Sequence, residues 1–119
     1  MKKTVVIGAT DNPDRFAYRA ANSLKRHGHP IALVGQRQGT VAGEPIQQGQ
    51  PPIADVDTVT LYVGTRNQAP LYDYILNLKP KRIIFNPGTE NPELERKAQE
   101  KGIETVEGCT LVMLSVGEF

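Results

Sequence analysis

The residues with the clearest chemical potential follow the first apolar run of the chain, in the segment VVIGATDNPDRFAYRAANSLKRHG at positions 5–28. Gly8 permits a sharp backbone turn and lets a ligand approach the main chain closely. Free amides at the start of the helix expected next can donate hydrogen bonds to a phosphate. Because any parallel sheet needs a tight turn at this point, the segment is equally compatible with a purely structural turn.

A second polar turn, Gly35-Gln36-Arg37, bears on which phosphate ligand is favoured. A dinucleotide fold of the NAD type has two more glycines after its first strand and an acidic residue after its second, and this chain has neither. Arginine at position 37 suits a phosphorylated ribose, as in NADP or in the 3′-phosphate of coenzyme A. The missing glycines favour coenzyme A. Arg15 is expected to lie over the phosphates; the alternative for both arginines is a solvated surface charge.

Residue types that support catalysis or metal binding are sparse. Cys109 opens a final apolar segment, CTLVML, where a thiolate at a helix start would be activated. No base is near it in the sequence, so a small buried residue at the start of a core helix is favoured. His27 and His29 flank Gly28 at a helix end, which predicts capping. One cysteine and two histidines are too few for a Cys/His metal site, and none is predicted.

Composition bounds the class of protein. The chain has 119 residues, 39% of them hydrophobic, which fits a single domain over residues 1–119. A net charge of +1 gives no general attraction to nucleic acid or to a membrane. One cysteine fits a reducing cytoplasm, and no apolar stretch approaches a signal peptide or a membrane span. We therefore expect a cytoplasmic protein, whose terminal LVMLSV leaves a homodimer open.

Short apolar runs alternate with helical periods along the chain. The runs are nearly continuous, which is typical of strands covered on both faces. The pattern predicts an α/β protein of the Rossmann-like, doubly wound type, with a mostly parallel sheet of about five strands and helices on both faces. The predicted strands are Val5–Ile7, Ile31–Val34, Val59–Val63, Ile83–Phe85 and Glu104–Val106, and the helical periods span Ala17–Leu24, Leu71–Leu78 and Leu94–Ala98.

Local signals mark the helix ends. Asn12-Pro13-Asp14 and Asn91-Pro92-Glu93 each offer a side-chain cap, a proline suited to the first helical position and an acid favoured by the helix dipole. Gly28, Gly102 and Pro80 are predicted to end the three helices. The glycine- and proline-rich stretch 35–55 predicts an irregular crossover, in which TVAGEPI forms at most a short edge strand or hairpin.

Ligands of doubly wound sheets lie outside the carboxyl ends of the strands, so the residues just after each apolar run are the candidates for binding. All four such loops are small and polar, which predicts one shared crevice. The loops are Gly8-Ala9-Thr10-Asp11-Asn12-Pro13, Gly35-Gln36-Arg37, Gly64-Thr65-Arg66-Asn67-Gln68 and Asn86-Pro87-Gly88-Thr89.

The segment VVIGATDNPDRFAYRAANSLKRHGHPIALVG resembles the start of the small stand-alone CoA-binding domain proteins. Their pattern is a strand, a G-A/S-T/S turn, N-P-x-R, then S/A-Y and a helix ending in H-G. A GEP insert follows the second strand, and IIFNPGTENPELERKAQEKGIETVEGCTLVML is similar to one branch of the family. The resemblance implies a Rossmann-like fold related to the CoA-binding domain of succinyl-CoA synthetases, often with no assigned reaction.

The resemblance also implies a set of contacts for coenzyme A or an acyl-CoA. The pyrophosphate turn would be lined by Gly8, Thr10, Asn12, Pro13, Arg15 and Tyr18. The adenosine end would meet Gly35, Gln36 and Arg37, and the path of the adenine or pantetheine would border Val63, Gly64 and Thr65. Ala9, Asn86, Pro87 and Gly88, from the loops named above, complete the predicted binding site.

Three functions are compatible with these observations. The favoured one is non-catalytic binding of coenzyme A or an acyl-CoA, with no catalytic residue assigned. The second is an enzyme that uses NADP or another nucleotide, or that employs Cys109 as a reactive thiol. The third is a structural subunit whose site is vestigial. Whether a reaction is catalysed is left undecided by the sequence.

Overall fold

The computed structural model describes all residues from 1 to 119, as seven strands and four α-helices. In chain order the elements are β1 (Thr4–Ile7), α1 (Phe16–Arg26), β2 (Ile31–Val34), β3 (Thr40–Val41), β4 (Glu44–Gln47), β5 (Thr58–Leu61), α2 (Tyr72–Asn77), β6 (Arg82–Phe85), α3 (Pro92–Glu100), β7 (Glu104–Glu107) and α4 (Thr110–Ser115). Two short 3₁₀ turns, Thr65–Asn67 and Ala69–Leu71, precede α2.

The strands form one sheet in the order β3-β4-β2-β1-β5-β6-β7. All neighbouring pairs are parallel except β3 with β4, which form an antiparallel hairpin. The predicted α/β class with a mostly parallel sheet is confirmed. The strand number is corrected from five to seven, because the TVAGEPI hairpin joins the sheet: Ile46 of β4 pairs with Leu33 of β2.

The sheet is covered on both faces, as its continuous apolar strands predict. On one face α2 and α3 pack over a core that includes Val5, Val59, Ile75, Phe85 and Leu94. On the other, α1 and α4 pack over a core built from Val6, Ala17, Ala21, Leu33 and Leu114. Alternate residues of β1 serve the two cores, which is why its burial is complete.

The predicted helix boundaries are confirmed for α3 and corrected for α1. The Asn91 side chain accepts hydrogen bonds from the amides of Glu93 and Leu94, at 3.1 and 3.3 Å, and caps α3. Asn12 does not cap α1, which begins at Phe16. Its Oδ1 instead accepts from the Asp14 amide at 3.0 Å, so the asparagine closes a turn of its own before the helix.

The predicted helix ends hold with one shift. Gly28 and Gly102 follow α1 and α3 with φ of 84° and 76°, the left-handed conformation that stops a helix. α2 ends at Asn77, three residues before Pro80, because Lys79 already adopts a positive φ of 53°. None of the helices is both long and apolar enough to cross a membrane.

Candidate functional site

The candidate site lies along the carboxyl edge of the sheet, where β1 and β5 are neighbours. The chain leaves β1 toward β2 and β4 on one side, then returns to build β5, β6 and β7 on the other. Loops from adjacent strands therefore part at this point, and such a switch point is where open α/β sheets bind ligands. All four loops that the sequence singled out leave the sheet at this edge.

Packing within the protein accounts for Gly8 and Ala9. Gly8 has a φ of 92°, and a Cβ placed on it would lie 2.8 Å from the backbone oxygen of Tyr62. The amides of Gly8 and Ala9 both donate to the Val34 carbonyl at 2.9 Å, and Ala9 is buried. These two residues shape the turn with amides that are already engaged, and their predicted ligand contact stays a prediction.

Residues 10–15 form two consecutive turns, each closed by a hydrogen bond from a backbone amide to a side-chain oxygen. Thr10 Oγ1 accepts from the Asn12 amide at 3.1 Å, and the Asn12 carbonyl accepts from the Arg15 amide at 3.1 Å. Asn12, Pro13 and Arg15 are exposed, whereas Thr10 is half-buried. The turns hold the chain in a fixed course up to the start of α1.

The first turn of α1 presents backbone donors without acceptors. No side chain caps this helix, and the amides of Phe16, Ala17 and Tyr18 have no hydrogen-bond partner. Such amides, with the positive end of the helix dipole, form a ready anion site. Arg15 is exposed beside them, and Tyr18 packs half-buried against the α1 core.

The loop after β2 lies directly against the loop after β1. A Cβ on Gly35 would overlap the Ala9 carbonyl oxygen, so close packing requires this glycine. A Cβ on Gly39 would lie 2.8 Å from Asp11 Oδ2. Gln36 and Arg37 are exposed between these contacts. The single ion pair of the protein joins Lys25 to Glu44 at 2.8 Å, so Arg15 and Arg37 both lack a carboxylate partner.

Gln68 holds the exits of β5 and β6 together, a role that the sequence did not reveal. Its side chain is fully buried and donates to the carbonyls of Val63 and Thr89 at 2.9 and 2.8 Å. Its Oε1 accepts from Asn91 at 2.9 Å. A glutamine in a polar loop carries no signal that it will be buried, so the sequence offered no way to find it.

The side chain of Thr65 donates to the Glu90 carbonyl at 2.7 Å, which ties the same two loops at their exposed rim. Val63 is half-buried and Gly64 is exposed, with nothing within 4 Å of the position of a Cβ on that glycine. The predicted residues Val63, Gly64 and Thr65 therefore line an open edge beside β1.

The side chain of Asn86 makes its hydrogen bonds within the protein. It is 1% exposed and donates to Thr60 Oγ1 at 2.8 Å and to the Leu61 carbonyl at 2.9 Å. Its Oδ1 accepts from the Thr110 amide at 2.9 Å, which attaches α4 to the sheet. Pro87 and Gly88 are exposed after it. The structure brings these last two to the edge, while the Asn86 side chain points into the fold.

A buried polar cluster lies beneath the start of α4. The Tyr62 hydroxyl is buried without a hydrogen-bond partner. Burial raises the pKa of Tyr62 to about 12, and Cys109 adds to the rise. The hydroxyls of Thr110 and Thr60 lie close enough to oppose it, but they bond each other at 2.7 Å and make no well-aligned hydrogen bond to Tyr62. Cys109 directly precedes α4, as predicted, but it is half-exposed rather than buried.

The two histidines lie away from this edge, at the end of α1. His27 Nδ1 is 2.8 Å from the Ser23 carbonyl, which confirms the predicted capping for that residue. His29 Nδ1 accepts from the Lys2 amide at 3.1 Å. No group of three or more His, Cys, Asp or Glu side chains is arranged to hold a metal ion.

Two depressions of the surface differ in their relation to the carboxyl edge of the sheet. One, of about 550 Å³, is lined by Gln38, Gly39, Thr40, Pro45 and Ile46, and so begins one residue after Arg37. The other, of about 570 Å³, lies between the ends of α2 and α3 and includes Lys79, Lys81 and Lys101. The candidate site is thus an open rim with a depression at its β2 end.

The fold is a Rossmann-like α/β domain in which the unpaired amides at the start of α1 lie at the switch point of the sheet. The family model described as "CoA binding domain" matches residues 2–115 of the chain. The protein therefore belongs to the CoA-binding domain family. No curated protein matches the sequence.

Solved structures agree with this assignment of fold. A crystal structure of an uncharacterized protein is 58% identical, with a TM-score of 0.97, and the match covers 100% of this chain and 98% of that one. A Thermus thermophilus protein is 22% identical with a TM-score of 0.82, covering 99% and 90% of the two chains. A hypothetical protein from Pyrococcus horikoshii OT3 is 23% identical with a TM-score of 0.86, covering 97% and 82%.

Proposed function

We propose that this protein binds coenzyme A or an acyl-CoA non-covalently at the carboxyl edge of its sheet and catalyses no reaction of its own. Membership of the CoA-binding domain family supports the ligand class. The main support for this location of the site is the first turn of α1. Three consecutive backbone amides there lack hydrogen-bond acceptors, and Arg15 beside them has no carboxylate partner. Donors of this kind match a diphosphate, which needs several hydrogen bonds and positive charge.

The adenosine half is proposed to lie on the β2 side of that turn. Arg37 is exposed and has no carboxylate partner, so its guanidinium is free for the 3′-phosphate of the ribose. Gln36 stands beside it, and the depression at Gln38–Thr40 gives the adenosine a place against the surface. Arg15 and Arg37 flank the proposed diphosphate, and their positive charges offset its negative charge.

The remaining predicted residues fall into two groups, those proposed to contact the cofactor and those that shape the edge of the sheet. Thr10, Asn12, Pro13 and Tyr18 are proposed to border the diphosphate. Val63, Gly64, Thr65, Pro87 and Gly88 are proposed to border the rest of the cofactor. Gly8, Ala9, Gly35 and Asn86 act through the shape of the edge, since their packing or hydrogen bonds within the protein are already made.

One feature supports binding without catalysis. Cys109 is the one candidate nucleophile near the edge, and neither histidine lies near it, because both are at the far end of α1. A cytoplasmic location belongs to the proposal as well, and so does a homodimer through the exposed Val112 and Val116 of α4.

NADP is the second candidate ligand, because Arg37 suits a 2′-phosphate on the ribose as well as a 3′-phosphate. Thermal unfolding with coenzyme A, acetyl-CoA, dephospho-CoA, NADP and ATP at matched concentration separates the candidates. A ligand at 100 times its Kd adds about 2.7 kcal/mol of stability, a shift of several degrees in a domain of this size. Stabilisation by coenzyme A or acetyl-CoA above the other three ligands supports the proposal. Stabilisation by NADP alone favours a dehydrogenase, and no response favours a structural subunit.

A further inference from the structure

We infer that Phe16 contacts the pantetheine arm of the cofactor and so determines the preference of the protein for whole coenzyme A over its nucleotide half. The inference rests on the proposed function, since it assumes that the diphosphate lies on the first turn of α1. Phe16 is the first residue of that helix, and its side chain is 64% exposed. A ring this exposed beside the proposed diphosphate site is accessible to the apolar part of a bound ligand.

The side of α1 on which Phe16 lies follows from helical spacing. Ala20 and Ser23 stand four and seven residues after it, on the same stripe of the helix. Both are buried, at 0% and 5%, and Ala20 lies outside the apolar cluster beneath α1. Small buried residues outside the sheet-facing core indicate close approach of another helix, and α4 is the helix packed beside α1. Phe16 is therefore the first residue of the stripe of α1 that faces α4.

The Phe16 ring contacts Arg19, and its direction follows from the geometry of the helix. The guanidinium carbon of Arg19 is 5.6 Å from the centroid of the Phe16 ring, a cation–π contact that covers part of the ring. Helical side chains tilt toward the N-terminus of their helix, which for α1 is the carboxyl edge of the sheet. The uncovered part of the ring therefore adjoins the space above the unpaired amides.

The course of the cofactor brings its apolar part to this ring. With the adenosine on the β2 side near Arg37 and the diphosphate on α1, the remaining arm has to leave on the opposite side, toward β5 and α4. That is the side on which Phe16 lies. The pantetheine arm carries two geminal methyl groups and several methylenes, and a phenyl ring removes such surface from water on contact.

The test measures the affinities of coenzyme A and ADP by titration calorimetry for three variants. Phe16→Ala should weaken coenzyme A about tenfold and leave ADP within about twofold, since only the whole cofactor has the arm. Phe16→Leu keeps an apolar contact and should recover most of the affinity. Arg96→Ala is the control, because Arg96 is exposed on α3, which packs on the other face of the sheet, and its loss should change neither ligand.

Each outcome bears on a distinct claim. Unchanged binding of coenzyme A to Phe16→Ala overturns the inference and leaves the proposed function standing. Equal weakening of coenzyme A and ADP also overturns it, because the ring would then contact the nucleotide half. A wild-type protein that binds no coenzyme A overturns the proposed function itself. Thermal unfolding without ligand checks that the variants are folded, since an exposed side chain leaves the core intact.

Discussion

Replacement of Arg37 with alanine tests the assignment of the adenosine end most sharply, because one functional group of the ligand can be removed in parallel. Arg37 is exposed and makes no ion pair, so its loss should leave the fold unchanged. A hydrogen bond to a charged group contributes about 1.5–3 kcal/mol, and exposure to solvent reduces this to about 1–2 kcal/mol. The expected loss is therefore about five- to thirtyfold in the affinity for coenzyme A.

The assay is isothermal titration of wild type and Arg37→Ala with coenzyme A and with dephospho-CoA, which lacks the 3′-phosphate. Wild type should prefer coenzyme A, and the variant should bind the two ligands equally. Arg26→Ala is the control, because Arg26 is an exposed arginine in the last turn of α1, at the opposite edge of the sheet. A variant that keeps the full preference for coenzyme A would refute the placement of the 3′-phosphate on Arg37.

Three further predictions concern the fold that supports the site. Gly8→Ala should lower the free energy of unfolding in urea by about 2–4 kcal/mol, because residue 8 has a φ of 92° and the new Cβ would lie 2.8 Å from the Tyr62 backbone oxygen. Gly64→Ala should change the free energy of unfolding by under about 0.5 kcal/mol, because no atom lies within 4 Å of its Cβ position. Tyr62→Phe removes a buried hydroxyl that has no partner, so it should raise the free energy of unfolding by about 1 kcal/mol. Tyr74→Phe should lower it by about 1 kcal/mol, because the Tyr74 hydroxyl loses its 2.7 Å hydrogen bond to the Pro51 carbonyl. A loss of stability in Tyr62→Phe would contradict the unpartnered state of that hydroxyl. Burial and surrounding cations lower the pKa of His29 from 6.5, so its contribution to stability is present above pH 6.5 and is lost as the pH falls through the folded-state pKa. His29→Gln should flatten that fall in unfolding experiments between pH 7.5 and 5, and an unchanged slope would contradict the assignment.

The sheet was predictable because its strands are buried on both faces. Runs such as Val5–Ile7 and Ile83–Phe85 are apolar at every position, and that pattern is typical of parallel strands that lie between two layers of helices. The β3–β4 hairpin was predictable as a short edge element but not as a partner of β2. Its second strand, Glu44–Gln47, has one apolar residue that pairs inward, Ile46, which is too little pattern to set a register.

The candidate site was predictable in its location and less so in its parts. A doubly wound sheet brings the ends of parallel strands to one edge, so the four polar loops had to meet there. The sequence could not distinguish glycines required by packing within the protein from glycines that leave space for a ligand. Gly8 and Gly35 are explained by contacts with Tyr62 and Ala9, while Gly64 has open space around it. Nor did the sequence reveal Gln68, since burial of a polar side chain depends on contacts distant along the chain.

The most direct test is the response of the backbone amides to coenzyme A in a ¹⁵N–¹H NMR titration. The amides of Phe16, Ala17 and Tyr18 have no acceptor in the free protein, so they should show the largest shifts as they donate to the diphosphate. The amides of Gly8 and Ala9, already bonded to Val34, should move less. Saturable binding that leaves the first turn of α1 unperturbed would contradict the account.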